Sequence, residues 1–116
     1  MQGVNIAKKS AATGKSIAVL PFRNLSKDAE QEYFGDGIAE EIIVTLSNIK
    51  NLKVVGRRSS FQFKGDAIAV TEIGKLLGVN TILEGSVRRH GTGLRIYAEL
   101  INVKDGCQLW AEKYDR

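Results

Sequence analysis

Apolar positions change period twice along this chain, and the changes divide it into elements. Residues 16–22, SIAVLPF, form an unbroken apolar run containing the only proline, Pro21, which is the pattern of a strand covered on both faces. RNLSKDAEQEY reads as polar loop and helix start. Beyond it, Ile38, Ile42, Leu46 and Ile49 recur on one face of an amphipathic helix over GDGIAEEIIVTLSNI. LKVVG at 52–56 reads as a short strand and RRSSFQFKG as a loop or irregular strand. AVTEIGKLL at 69–77 predicts a second helix, with Ile73, Leu76 and Leu77 on one face and Gly78 at its C-terminal stop. From Asn80 the period becomes two. TILEGSVRRH, the turn GTG at 91–93 and LRIYAELINV make a hairpin in which Leu94, Ile96, Ala98 and Leu100 alternate with Arg95, Tyr97 and Glu99. A second turn, KDG at 104–106, leads to a last strand, CQLWAEKYDR.

The order β-α-β-α-β-β-β predicts an α/β (α+β) two-layer sandwich, a five-stranded mixed sheet with two helices on one face. Residues 1–15 lack apolar periodicity and read as a flexible linker or expression remnant, leaving 16–116 as the domain. With 43% hydrophobic and 26% charged residues in 116, neither a disordered nor a fibrous class fits. No apolar run is long enough to cross a bilayer and none resembles a secretory signal, so no membrane insertion is expected. Cys107 and His90 are each alone in their type, which excludes an internal disulfide and a Cys/His zinc site. A reducing, cytoplasmic setting is the expectation, with a periplasmic one as the alternative.

The net charge of +4 is unevenly spread. Lys8, Lys9 and Lys15 sit in the first fifteen residues without an acid. Residues 16–49 set Arg23 and Lys27 against six acids, and residues 50–64 hold five bases and no acid. Two adjacent blocks of opposite sign result. Because three cations lie in the tail and only 7% of residues are aromatic, nucleic acid is not an expected partner.

Several strings invite a chemical reading. ATGKS ends like a phosphate-binding loop, yet position 9 is lysine where that motif needs glycine, and the string precedes a strand. Asp36, Glu40 and Glu41 could hold a metal or act as acid and base. As first-turn acids they also complement the helix dipole, and the sequence favours that reading. Arg57, Arg58, Ser59, Ser60 and Lys64 combine cations with hydroxyls in a glycine-ended loop, the composition of an anion or acidic-partner contact, and also that of a solvated loop. Arg88 and Arg89 fall on opposite strand faces and make no single patch. His90 and Cys107 read as a turn histidine and a strand cysteine rather than a nucleophilic pair. Trp110 and Tyr114 share a strand face, where packing against a helix is expected over an exposed platform.

The blocks SIAVLPFRNLSKDAEQEYFGDGIAEEIIVTLSNI, VVGRRSSFQFKG and IGKLLGVNTILEGSVRRHGTGLRIYAELINVKDGCQLWAEKYDR resemble the TolB N-terminal-like domain of bacterial multidomain signalling proteins. The resemblance covers residues 16–116, with Pro21, Asn24, Gly37, Glu40, Ser59, Ser60, Phe61, Lys64, Gly65, Glu84, Gly85, Trp110 and Tyr114 at motif positions. Gly35 stands where the family often has alanine, in YFADG. The resemblance implies a two-layer fold, no catalytic residue, and an excised segment beside an effector. That effector is commonly a class III adenylate/guanylate cyclase, a winged-helix domain or a Ser/Thr kinase, with tetratricopeptide repeats beyond the domain. The expected function is a non-catalytic regulatory or protein-interaction domain without cofactor, contacting neighbouring effector and repeat domains of its own chain. A sensor of a small anionic ligand or nucleotide is the alternative, its pocket lying between the Asn24 loop and the 57–64 loop. A free-standing enzyme lacks a nucleophile, base and metal constellation.

Overall fold

Along the chain the elements are β1 (Lys15–Val19), β2 (Arg23–Asn24), α1 (Glu30–Leu46), β3 (Leu52–Val54), α2 (Arg57–Phe61), α3 (Val70–Leu77), β4 (Thr81–His90), β5 (Gly93–Asn102) and β6 (Gln108–Asp115). They are taken from a computed structural model that describes residues 15–65 and 67–116. Of the expected linker only Lys15 falls within the described residues, where it opens β1.

The sheet runs β3-β1-β4-β5-β6, with β2 paired to β4 beside this path. The β1 pairs with β3 and β4 are parallel, as crossover helices require, and the β4-β5 and β5-β6 pairs are antiparallel. This is the expected mixed α/β class and five-strand path, with one difference in layering. Ile17 and Val19 join Ala39, Ile43 and Leu83 beneath α1, while Ala18 and Leu20 join Ile73, Val79 and Ile82 beneath α3. Successive strand residues point to opposite faces, so α1 and α3 cover opposite faces of the sheet rather than one. The unbroken run SIAVL needs that double cover, because an uncovered face would leave Ala18 and Leu20 in water.

The chain leaves β1 through a kink. Val19 pairs with Leu83 and Arg23 with Ser86, so four steps on this strand match three on β4. The extra residue sits at Pro21, which has no N–H to give the ladder. The Leu20 N–H donates to the Leu83 carbonyl at 2.9 Å before the kink, and the Leu25 N–H to the Val87 carbonyl at 2.8 Å after it. Phe22, only 1% exposed, swings inward at the kink. A Cβ on Gly85 would lie 2.7 Å from its ring, and a Cβ on Gly35 would lie 2.5 Å from its carbonyl oxygen. The absence of a side chain at Gly35 therefore lets α1 sit against the kink.

Other boundaries moved for local reasons. α1 begins at Glu30 rather than at Gly35 because the Asp28 carboxylate accepts the Glu30 N–H at 3.0 Å and so caps the first turn. Ile49 lies beyond the helix and is half exposed. RRSSF is a one-turn helix, not a loop, with Ser60 fully buried and its hydroxyl donating to the Arg57 carbonyl at 3.2 Å. α3 ends at Gly78 with φ of 71°, as expected. Leu76, expected on its buried face, points to solvent, since eight residues bury only Ile73 and Gly74 against the sheet.

Candidate functional site

The Pro21 kink, α3 and the loop before α3 border a half-open cavity of about 780 Å³. Its apolar wall includes Leu20, Phe63, Val70 and Ile73, and its polar groups are Arg23, Asn24, Glu32, Lys64 and Glu84. Two of the six expected contact residues, Asn24 and Lys64, are brought together here. Asn24 is occupied by the loop itself, its amide donating to the Asp28 carbonyl at 2.9 Å and its Oδ1 accepting the Ser26 N–H at 3.0 Å. Lys64 lies between Asp36 at 2.8 Å and Glu32 at 2.9 Å, and the hydrogen bond to Asp36 leads in raising its pKa.

The remaining four lie away from the cavity. Arg57 pairs with Glu40 and rests 4.6 Å over the Phe61 ring. Ser60 is structural, Ser59 is exposed, and Arg58 is exposed with no ion pair among the described residues. The two charge blocks adjacent in sequence thus meet in space, where the acids of α1 neutralise Arg57 and Lys64. Asp36 and Glu40 are mid-helix, so the expected dipole role falls instead to Glu30 and Glu32 in the first turn.

Glu84 carries no chemical signal in its residue type or immediate neighbours, yet it lines the cavity and lies directly across the β4-β5 ladder from Glu99. Like charges facing each other on neighbouring strands destabilise both ionised forms. Burial first, then the hydrogen bond and charge of Glu99, push Glu84 up to about 7, while Arg23 opposes the rise. Glu99 accepts from the Gln108 amide at 2.6 Å and the Tyr97 hydroxyl at 3.3 Å. A signal does exist in the longer pattern: a turn at Gly91–Thr92 pairs His90 with Gly93, and the register then sets Glu84 against Glu99.

A second feature lies on the opposite sheet face. Trp110 and Tyr114 are 42% and 46% exposed, so the expected packing into the core is corrected: they wall an open groove of about 500 Å³ with Ile38 and Ile42 of α1. β6 is the outer strand of the sheet, with a neighbour on one edge only. Arg95 holds Asp115 through two bonds of 2.8 and 3.0 Å and keeps its carboxyl below the usual range. Arg89 meets Asp28 at 3.4 Å. Cys107 is exposed, and its hydrogen bond with Asp105 raises the thiol pKa, away from a reactive thiolate. Among the described residues no group of three His, Cys, Asp or Glu could hold a metal, and no helix is long and apolar enough to cross a membrane.

No protein-family profile matches the chain. It is 52% identical over 101 residues to a Rhizobium meliloti (strain 1021) protein named "Putative adenylate cyclase 3", a match that spans 87% of this chain but 17% of that protein. Among solved structures it is similar to the lipoprotein GNA1162 of Neisseria meningitidis, with a TM-score of 0.70, 20% identity, and coverage of 87% and 81% of the two chains. The LpoB C-terminal domain of Salmonella enterica gives a TM-score of 0.61 at 15% identity, covering 97% and 93%. TolB of Acinetobacter baumannii gives 0.59 at 13%, covering 90% of this chain and 23% of that one. At these identities the structural likeness is one of fold.

Proposed function

We propose that this chain is a non-catalytic regulatory and interaction domain of a bacterial signalling protein of the adenylate/guanylate cyclase class, in a cytoplasmic setting. The observation that carries the reading is its 52% identity to a segment that makes up only 17% of a protein named for cyclase activity. A module of that share acts through its neighbours: the effector and, in keeping with the resemblance to TolB N-terminal-like domains, tetratricopeptide repeats. Its contact surface combines exposed Arg58 and Ser59 on α2 with the groove of Trp110 and Tyr114, where a half-exposed aromatic pair on an outer strand suits strand addition or a helix laid in the groove.

The test uses the full-length protein that carries this chain. Replacing Arg58, Trp110 and Tyr114 together by alanine is expected to change cyclic nucleotide formation by roughly threefold or more, a coupling of modest size. All three side chains are substantially exposed, so the fold should persist, which circular dichroism of the variant checks. Unchanged cyclic nucleotide formation would sink the reading.

A second reading, a small anionic ligand sensor, is favoured by the cavity beneath the Pro21 kink. Asn24 and Lys64 line it, as do Pro21, Gly65 and Glu84 from the motif positions.

A further inference from the structure

Of the polar groups around the cavity, most already have partners. Lys64 is held by Glu32 and Asp36, and Asn24 by its own loop. Arg23 differs, because its side chain makes no ion pair or hydrogen bond among the described residues although it lines the cavity next to Glu84. An unpaired guanidinium beside a carboxyl group and an apolar wall is a matched pair of requirements, one for an anion and one for a hydrocarbon body.

We infer that the cavity binds a small molecule with an apolar body and a single carboxylate, the carboxylate seated between Arg23 and Glu84 and the body against Leu20, Phe63 and Ile73. This deepens the sensor reading and rests on it. A dianionic phosphate fits less well, since the Arg23 guanidinium would face two charges with Glu32 and Glu84 close by. A single carboxylate balances Arg23 and, beside a protonated Glu84 whose proton faces Glu99, meets no second negative charge there.

The same geometry makes binding sensitive to pH. The groups facing Glu84 are Glu99 on β5, itself held by Tyr97 and by Gln108 on β6, and Arg23 on β2, with the Glu32–Lys64 pair at the cavity wall. With Glu84 protonated, Arg23 is free for the ligand. Once Glu84 ionises near pH 7, it competes for Arg23 and repels a carboxylate.

The probe is n-octanoate, titrated against the 116-residue chain and followed by backbone amide NMR shifts, with octan-1-ol as the uncharged control. Saturable shifts at Arg23, Glu84 and Phe63 are expected, with affinity falling roughly tenfold between about pH 6 and about pH 8 as the competent form is depleted. Arg23→Ala, at an exposed position, is expected to weaken binding by at least about tenfold. Glu84→Gln stays neutral at both pH values and is expected to bind octanoate equally at each.

No saturation up to about 10 mM, a Kd weaker than this class of site supplies, would overturn the inference. So would equal binding by Arg23→Ala, or octan-1-ol binding as well as octanoate. None of these outcomes touches the effect of Arg58, Trp110 and Tyr114 on cyclic nucleotide formation, so failure here is distinct from failure of the interaction reading.

Discussion

A carboxylate placed opposite another carboxylate is the most informative single residue in the chain. Glu84 is driven up to about 7 by burial and by Glu99, above its ordinary 4.5. A carboxyl whose pKa is raised on folding favours the folded state fully below its unfolded value, and the contribution is lost as pH rises through the folded value. Chemical denaturation should therefore show greater stability near pH 5 than near pH 8, on the scale set by linkage. Glu84→Gln should flatten that slope; a slope retained in the variant would assign it to other groups. Asp28, Asp105 and Asp115 shift the opposite way, held down first by hydrogen bonds from Glu30, Cys107 and Arg95, so their contribution is lost as pH falls through the acidic range. The Glu84–Glu99 pair is legible in the sequence, because one hairpin turn fixes the register. Lys64 and Asp36, 28 residues apart with no ladder between them, are legible only as two oppositely charged blocks.

Among elements, the long apolar and alternating segments declare themselves, and the short polar ones do not. The strands of the hairpin and α3 lie within a residue or two of their expected bounds, since burial on a fixed face writes its period into the sequence. The first turn of α1 holds Glu30, Gln31, Glu32 and Tyr33, which give no apolar stripe; its start is set by the Asp28 carboxylate, which accepts the Glu30 N–H. α2 is shorter than any periodicity can reveal, and its buried serine carries no hydrophobic signal. The kink at Pro21 is legible as a break but not as a bulge, because the extra residue is defined by the partner strand. Its tightness depends on Gly85, where an added Cβ would meet both the Phe22 ring and the Tyr97 carbonyl. Gly85→Ala is expected to destabilise the fold by about 1–3 kcal/mol, the usual range for overpacking, in urea denaturation. A change within experimental error would show that Phe22 is free to move.

On the scale of the whole molecule, two helices on opposite faces bury residues 16–19 of β1 and leave the far side of the sheet thinly covered. Every residue of β6 is exposed. The Leu94 and Arg116 main chains exchange hydrogen bonds at 2.8 Å, so the alternation of an antiparallel ladder turns the N–H groups of Ala111, Lys113 and Asp115 outward. An outer strand of eight residues beside an apolar groove is the surface that a neighbouring domain would cover if this chain works through contact. Hydrogen exchange at those three amides, compared between the 116-residue chain and the full-length protein that carries it, tests that claim most directly. The interaction account expects exchange at Ala111, Lys113 and Asp115 to slow by at least about tenfold in the full-length protein. Equal exchange in both would leave β6 and its groove bare in the whole protein and contradict it.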